Sequence, residues 1–569
     1  MTGTPKFYTA AIPKGSENEV RSFFSKEEEL YSDTRVTWNK KLGGHSINAL
    51  GGFRFSNFAY DSNFASSHNT GSDKFPDIKS GDENYHAKTD GAYDVWRNMS
   101  YYVNVDYNFR NKYYLQGGLA AETSSRFGRN TEGGVKVAGV CWGLFPSLQA
   151  GWLASSEDFF NVDMIDYLKF TAGVDWSGND NISNSAAFCY HENIPYSGDK
   201  YMGLIMGNIE NQSIQWETTR RLNVGVDLMM LNNRLRLTGN FFHNVTNNLL
   251  TLKELDPLSG LDYAWSNEGA LKNVGAYASA NFRLYNSKNW KWELGASVGT
   301  YKNVVMDLPD GKAFTTDIYD GTILTAEGQP VGVFYGYETD GVFASTAKAW
   351  DPNKVAQNGE MGDWRLYTED AYTGVLTPFE AGDVKFVDQN NDGKINEEDR
   401  VVIGDPNPDI YGNINTNLVY KNFSLSATFN YSLGNDVYNY QRALLESGSS
   451  FYNQTTAVMN RWKVEGHETD IPKATYGDPK GNNRFSDRWI EDGSYLRLKD
   501  VTFSYKIPVS ASWLQGLTVW CSATNLLTFS KYLGSDPEFS FSNNVLYQGI
   551  DNGLLGQSRS FHLGVKINL

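Results

Sequence analysis

Between Ser100 and Phe109 the chain changes polarity at every residue: Tyr101, Val103, Val105, Tyr107 and Phe109 alternate with Ser100, Tyr102, Asn104, Asp106 and Asn108. A period of two places one set on each face of a β-strand. Arg110, Asn111 and Lys112 make a tight polar turn, and Tyr113 and Tyr114 open a return strand to Glu122, which predicts a hairpin. The pattern recurs. Leu222, Val224, Val226 and Leu228 alternate with Asn223, Gly225 and Asp227, turn at Asn232 and Asn233, and resume through Leu235, Leu237 and Phe241. After a turn at Lys421 and Asn422, Phe423, Leu425, Ala427, Phe429 and Tyr431 alternate with Ser424, Ser426, Thr428 and Asn430. Phe561 to Leu569 alternates to its last residue. Aromatics at both strand ends, with small or aliphatic residues between, fit the two interfacial girdles of a membrane barrel.

Composition narrows the class. Aromatics reach 14% and charged residues only 20%, with 54 Gly against 16 Pro, a balance suited to many strands and turns. No run approaches the roughly 18 consecutive apolar residues of a membrane helix, so any spanning structure is made of strands. A net charge of -16 argues against nucleic acid as a partner. Cys141, Cys189 and Cys521 are far apart and show no CxxC spacing, so neither a disulfide framework nor a zinc centre is indicated.

Connections sort by length. Short turns join strands at one end, while 305–407 and 436–492 separate confident strands at the other. That asymmetry is typical of outer-membrane barrels, whose long loops lie outside the cell. The expected fold is an all-β, transmembrane antiparallel β-barrel wall running through 1–569, with those two segments as extracellular loops. Alternation yields about fifteen strands, among them 33–41, 45–60 and 96–110, and single-chain barrels have an even number. The start, MTGTPKFYTAAIPKG, also lacks an export signal. Together these predict that the sequence is the later part of a longer barrel.

Several stretches resemble SusC/RagA-type TonB-dependent transporters, in that family's order. They are YNFRNKYYLQGGLAAETSSRFG (107–128), GLFPSLQAGW (143–152), LKFTAGVDWSGND (168–180), QWETTRRLNVGVDL (215–228) and NNRLRLTGNFF (232–242), then DVKFVDQNNDGKINEEDRVVIGDPNPDIYGN (383–413), DRWIEDGSYLRLKDVTFSYKIP (487–508) and ATNLLTFSKYLGSDPE (523–538). The resemblance implies a barrel of about 22 strands with a plugged lumen in the outer membrane. It implies import of an oligosaccharide or peptide with a SusD-like surface lipoprotein, powered by TonB-ExbB-ExbD through an N-terminal barrel and plug portion that this sequence does not contain. Outer-membrane lipid would surround the strands. The competing reading is a secreted or surface β-rich module for glycan binding or adhesion.

Residues 388–399, DQNNDGKINEED, match a calcium loop, with Asp388, Asn390 and Asp392 at positions 1, 3 and 5, Gly393 at the turn, the Lys394 carbonyl at 7 and Asp399 at 12. Calcium needs several hard oxygens at such offsets. The bland alternative is an Asx-rich turn whose side chains cap their own backbone. Trp350, Trp364, Tyr367 and Tyr372 are candidate ligand contacts that could stack on sugar rings or meet a lid protein, although loop aromatics often form the loop's own core. Glu380 with Asp383, or Glu491 with Asp492, would be the carboxylates of a glycosidase, but nothing fixes the separation such a pair needs. The seven histidines show no HExxH spacing, and no GxSxG or phosphate loop is present. No enzyme is expected.

Overall fold

The computed structural model describes residues 2–4, 19–68, 88–128, 130–196, 201–351, 364–509, 513–539, 541–542 and 544–568. Most of the described residues are in strands and only a small share in helix. Among the described residues fifteen strands have nine residues or more, as many as the alternation predicts: β1 Glu19–Leu42, β2 His45–His68, β3 Lys88–Phe109, β4 Tyr113–Ser124, β5 Val140–Leu153, β6 Ile165–Asn179, β7 Glu217–Met230, β8 Leu235–Asn247, β9 Ala270–Asn286, β10 Trp290–Asp307, β11 Ile410–Tyr420, β12 Phe423–Leu433, β13 Tyr495–Ile507, β14 Gly516–Ser530 and β15 Ser560–Asn568. Two units are distinguished, one of Met1–Gly151, Gly173–Arg221 and Thr246–Gly269, the other of Trp152–Ala172, Leu222–Val245 and Ala270–Leu569.

In the first unit β1, β2, β3 and β4 form an antiparallel meander. The register aligns Trp38 with Ala49 and Val105, Val36 with Gly51 and Val103, and Phe53 with Tyr101 and Ala121, so one face is a continuous apolar surface. The other face carries Asp33, Arg54, Asn104, Asp106 and Gln116, with the Tyr102 hydroxyl donating to Asp33 at 2.5 Å. Apolar residues exposed on one face and polar residues on the other invert the rule for a soluble sheet, whose apolar face packs inward. Lipid resolves the inversion.

β1 and β2 are longer than the alternation suggests, reaching back to Glu19 and on to His68 instead of spanning 33–41 and 45–60. Their 24 residues rise roughly 80 Å, whereas a bilayer takes about 9–11 residues of strand. Beyond lipid both faces meet water, so polarity need not alternate, and the Glu27–Glu28–Glu29 run pairs with Tyr60, Ala59 and Phe58 all the same.

In the second unit β9 to β15 form a second antiparallel meander, each strand paired with the next. One row of the register reads Trp290, Tyr420, Phe423 and Tyr505 across four strands at the short-turn end. Adjacent rings lie 4.4 Å (Trp290 and Tyr420) and 4.5 Å (Phe423 and Tyr505) apart. The same face continues through Leu418, Leu425 and Phe503, then Ile414, Phe429 and Leu498. A bulge at Lys499 separates two parities in β13: Val501, Phe503 and Tyr505 are odd-numbered, Leu496 and Leu498 even, and the extra residue returns both sets to one face. The turns are made by residues in the left-handed region: Arg110, Asn111, Asn232, Asn233 and Lys421 all have φ between 51° and 58°.

Segments 305–407 and 436–492, read as loops, carry structure of their own. Phe314–Ile318, Gly321–Thr325, Val333–Tyr337 and Arg400–Gly404 form a four-stranded sheet. Tyr337, Phe343, Phe379, Val384, Phe386 and Ile395 bury one small core, and Ile323, Phe334, Tyr438, Phe485, Trp489 and Ile550 another.

Candidate functional site

Asp383 is fully buried at the junction of these segments. Its carboxylate accepts from Asn482 Nδ2 at 3.0 Å and from the Glu380 amide at 2.8 Å, and it pairs with Lys473 and Lys480, each at 3.2 Å. Glu380 reaches the same two lysines from the surface. Both acids are therefore committed to tying distant loops together. Glu491 is likewise taken by Arg442 at 2.9 Å and the Leu533 amide, and Asp492 by the Ser494 amide. Neither carboxylate pair is poised over a shared opening for acid–base work.

The 388–399 loop closes as an Asx-rich turn. Asp388 accepts from the Asp392 and Gly393 amides at 3.2 and 2.8 Å, Asn390 from the Asp392 amide, and Asp392 from the Lys394 amide. Gly393 has φ 82°, the bend that the sixth position requires. Asp399 is buried, with one oxygen on the Gln389 amide and the other on the Asn396 amide, both 2.9 Å, clasping the two ends of the loop. Among the described residues no three His, Cys, Asp or Glu side chains converge into a ready-made metal centre. Asp388, Asn390 and Asp392 do lie in one turn, and the Lys394 carbonyl accepts none of the described backbone bonds.

The four aromatics predicted as ligand contacts do not behave as a set. Trp350 and Trp364 pair through their strands, opposite Arg365 and Asp351, while their side chains lie outside the described residues. Tyr367 is half-buried, and its backbone bonds Gly393 and Ile395, so it braces the Asx loop. Tyr372 is different. It is 70% exposed on a turn pinned by Asp370, whose carboxylate accepts from the Tyr372 and Thr373 amides. The Thr373 amide and then that of Tyr372 hold the Asp370 carboxyl below its ordinary range.

Tyr372 has neighbours that the sequence did not suggest. Its hydroxyl donates to the Gly477 carbonyl at 3.1 Å, and the Gly477 amide donates to Ser449 O at 2.8 Å. Position 477 requires glycine: its φ is 73°, and a Cβ would stand 1.9 Å from the Tyr372 hydroxyl. On either side of this knot Phe451 and Tyr476 are 91% and 71% exposed, with ring centroids 5.0 Å apart, and Tyr452 is 85% exposed. Three segments separate in sequence, around Tyr372, Phe451 and Tyr476, thus build one exposed aromatic patch. Only the SFY run at 450–452 hinted at it in sequence, and without period or motif.

No family model matches the chain. TonB-dependent receptor P3 of Formosa agariphila is 28% identical over 563 residues, covering 94% of this chain and 52% of that protein. TonB-dependent receptor SusC of Bacteroides thetaiotaomicron is 25% identical over 488 residues, covering 82% and 43%. The structure of the RagAB peptide transporter superposes with a TM-score of 0.75 at 21% identity, covering 97% of this chain and 56% of that one. The chain spans about half the length of the curated relatives it matches. The resemblance to SusC/RagA-type TonB-dependent transporters holds, and the fold is that of their outer-membrane β-barrels. These relatives are receptors and transporters, not enzymes.

Proposed function

We propose that this chain forms the greater part of the wall of an outer-membrane importer that takes up an oligosaccharide or peptide, with a SusD-like lipoprotein as its outer lid and TonB-ExbB-ExbD as its motor. The single observation that carries the reading is the register-aligned row of Trp290, Tyr420, Phe423 and Tyr505, with apolar residues above it on one face and polar ones on the other. Such a face suits lipid on one side and a wet passage on the other. The names of the relatives add support, since one is a SusC and another a peptide transporter. In this reading the Tyr372, Phe451 and Tyr476 patch lies outside the cell and meets ligand or lid, and segments 305–407 and 436–492 are extracellular. Uptake of labelled oligosaccharides and peptides by cells carrying the whole gene is the test. Uptake of one class that disappears without TonB supports the proposal, and uptake indifferent to TonB overturns it.

A calcium ion at 388–399 is a separate proposal. The offsets of Asp388, Asn390 and Asp392 and the left-handed Gly393 support it. Both oxygens of Asp388 and both of Asp399 accept backbone amides, so the ion would use their remaining lone pairs together with Asn390, Asp392, the Lys394 carbonyl and water. Carboxylates shared with amides in this way mean weak binding, in the range of about 10⁻⁴–10⁻³ M known for extracellular modules.

A further inference from the structure

Charge is sorted along the β9–β15 meander. At the short-turn end, the strand tips and turns 284–292, 418–425, 503–519 and 563–568 hold five lysines, Lys288, Lys291, Lys421, Lys506 and Lys566, and no Asp or Glu. At the opposite end stand Asp307, Asp405, Asp409, Asp436 and Asp492, and the chain as a whole carries a net charge of -16. All five lysines are exposed, and among the described residues none of them has a carboxylate partner. Glu293, the nearest acid in sequence to Lys291, is taken by Arg283 at 3.2 Å. Like charges gathered without counter-charges repel one another, and an anionic surface facing them relieves that repulsion.

Backbone bonds draw these strand ends together. The Lys421 amide donates to the Asn289 carbonyl at 2.7 Å and the Lys506 amide to the Asn422 carbonyl at 2.8 Å, so Lys288, Lys421 and Lys506 stand on neighbouring strand ends. Lys421 Nζ lies 5.4 Å from the centroid of the Tyr420 ring, which is itself 4.4 Å from that of Trp290. Both rings belong to the apolar face, so the Lys421 ammonium is held on that face at the level of the aromatic row. Lys291 and Lys506 are one residue off the row and by strand parity face the other way, adding positive field without joining the contact.

On the footing that β9–β15 is a lipid-facing wall, we propose that Lys288 and Lys421, with the Trp290 and Tyr420 rings beside them, bind the headgroup phosphate of an anionic phospholipid in the leaflet at the short-turn end. The ammonium groups meet the phosphate, the rings lie at headgroup depth, and the acyl chains run along Leu418, Leu425 and Phe503 on the same face. A free anion would engage the lysines alone, whereas an amphiphile engages the lysines and the apolar face together. Each lysine close to anionic headgroups shifts partitioning roughly fivefold.

Spin-labelled phosphatidylglycerol and phosphatidylcholine, compared by electron paramagnetic resonance on the whole protein in liposomes, test the site. The motionally restricted shell should prefer phosphatidylglycerol about tenfold. Lys288→Gln combined with Lys421→Gln, both at exposed turn positions, should reduce the preference to about twofold or less. Lys302→Gln combined with Lys312→Gln, which removes the same charge nearer the other end of the strands, should leave it unchanged. Replacing chloride by phosphate at constant ionic strength should also leave it in place. Equal association of the two lipids, an equal loss in the Lys302 and Lys312 variant, or displacement by phosphate each overturns the headgroup site while sparing the barrel wall. A protein that restricts neither lipid overturns the wall itself, and the site with it.

Discussion

Trp290 and Tyr420 face each other across β10 and β11 with ring centroids 4.4 Å apart, at the end of the strands where only a tight turn follows. Phe423 and Tyr505 extend the row on β12 and β13. Amphipathic rings at one level, above a band of about ten alternating residues, mark a lipid interface.

Charge placed on that band therefore discriminates between the faces. Ile414→Arg, on the apolar face, should cost about 2–4 kcal/mol in the lipid-inserted whole protein, and Asn415→Arg, one residue away on the opposite face, less than about 1 kcal/mol. Equilibrium unfolding in liposomes measures both. Equal costs would remove the basis for assigning a lipid face.

The aromatic patch should matter for capture and not for folding. Phe451→Ala and Tyr476→Ala remove exposed rings, so each should leave stability within about 0.5 kcal/mol. Each should weaken ligand or lid binding by about 0.5–1.5 kcal/mol, roughly 2–10-fold, read by titration calorimetry. Unchanged affinity for both would assign the patch to neither.

Asp383 behaves as a structural tie. Asp383→Ala leaves Lys473 and Lys480 with only the exposed Glu380 carboxylate between them, and should destabilise the loop segments by about 3 kcal/mol. Limited proteolysis of 436–492 reports that loss, which Asp383→Asn should only partly restore.

Asp436 gives a pH signature. Burial, and the neighbouring Asp405, Asp492 and Asp409 carboxylates, raise its affinity for a proton above the ordinary range. In the window just above the ordinary aspartate range of about 4, the folded chain holds a proton that the unfolded chain has released. Stability from this group is thus present at low pH and lost as pH rises through the folded value. Asp436→Asn keeps an acceptor for the Asp405 amide, so it should flatten this slope in melting curves taken between pH 4 and neutrality. An unaltered slope assigns the pH dependence elsewhere.

Calcium is checked by titration. Added calcium should raise the melting temperature of the whole protein, magnesium should not, and Asp388→Ala should abolish the rise. Asp399→Ala should destabilise the loop even without calcium, because it strands the Gln389 and Asn396 amides.

How much was legible in sequence follows from where alternation is enforced. In lipid each side chain is sorted by face, so Tyr101 to Phe109 and Phe423 to Tyr431 announce their strands, and the count of fifteen matches. Beyond lipid nothing enforces alternation, so the outer reaches of β1 and β2 around Glu27 and Asp61 read as loop. The bulge at Lys499 breaks parity in a way that only the partner strand's register explains. The patch of Tyr372, Phe451 and Tyr476 depends on contacts far apart in sequence, 105 positions between Tyr372 and Gly477 and 25 between Phe451 and Tyr476, which no local pattern encodes. Asp388 to Asp399 was visible as a motif, but that Asp399 would spend both oxygens on amides was not.

The central claim is that residues 410–433 form a barrel wall with lipid on one face. Nitroxide labels placed singly at 413, 414, 415 and 416 of the cysteine-free whole protein in liposomes, scanned for collision with oxygen and with a water-soluble nickel chelate, test it most directly. The account predicts strict alternation, with 414 and 416 open to oxygen and closed to nickel, and 413 and 415 the reverse. Labels at 414 and 416 as open to nickel as those at 413 and 415 would contradict it.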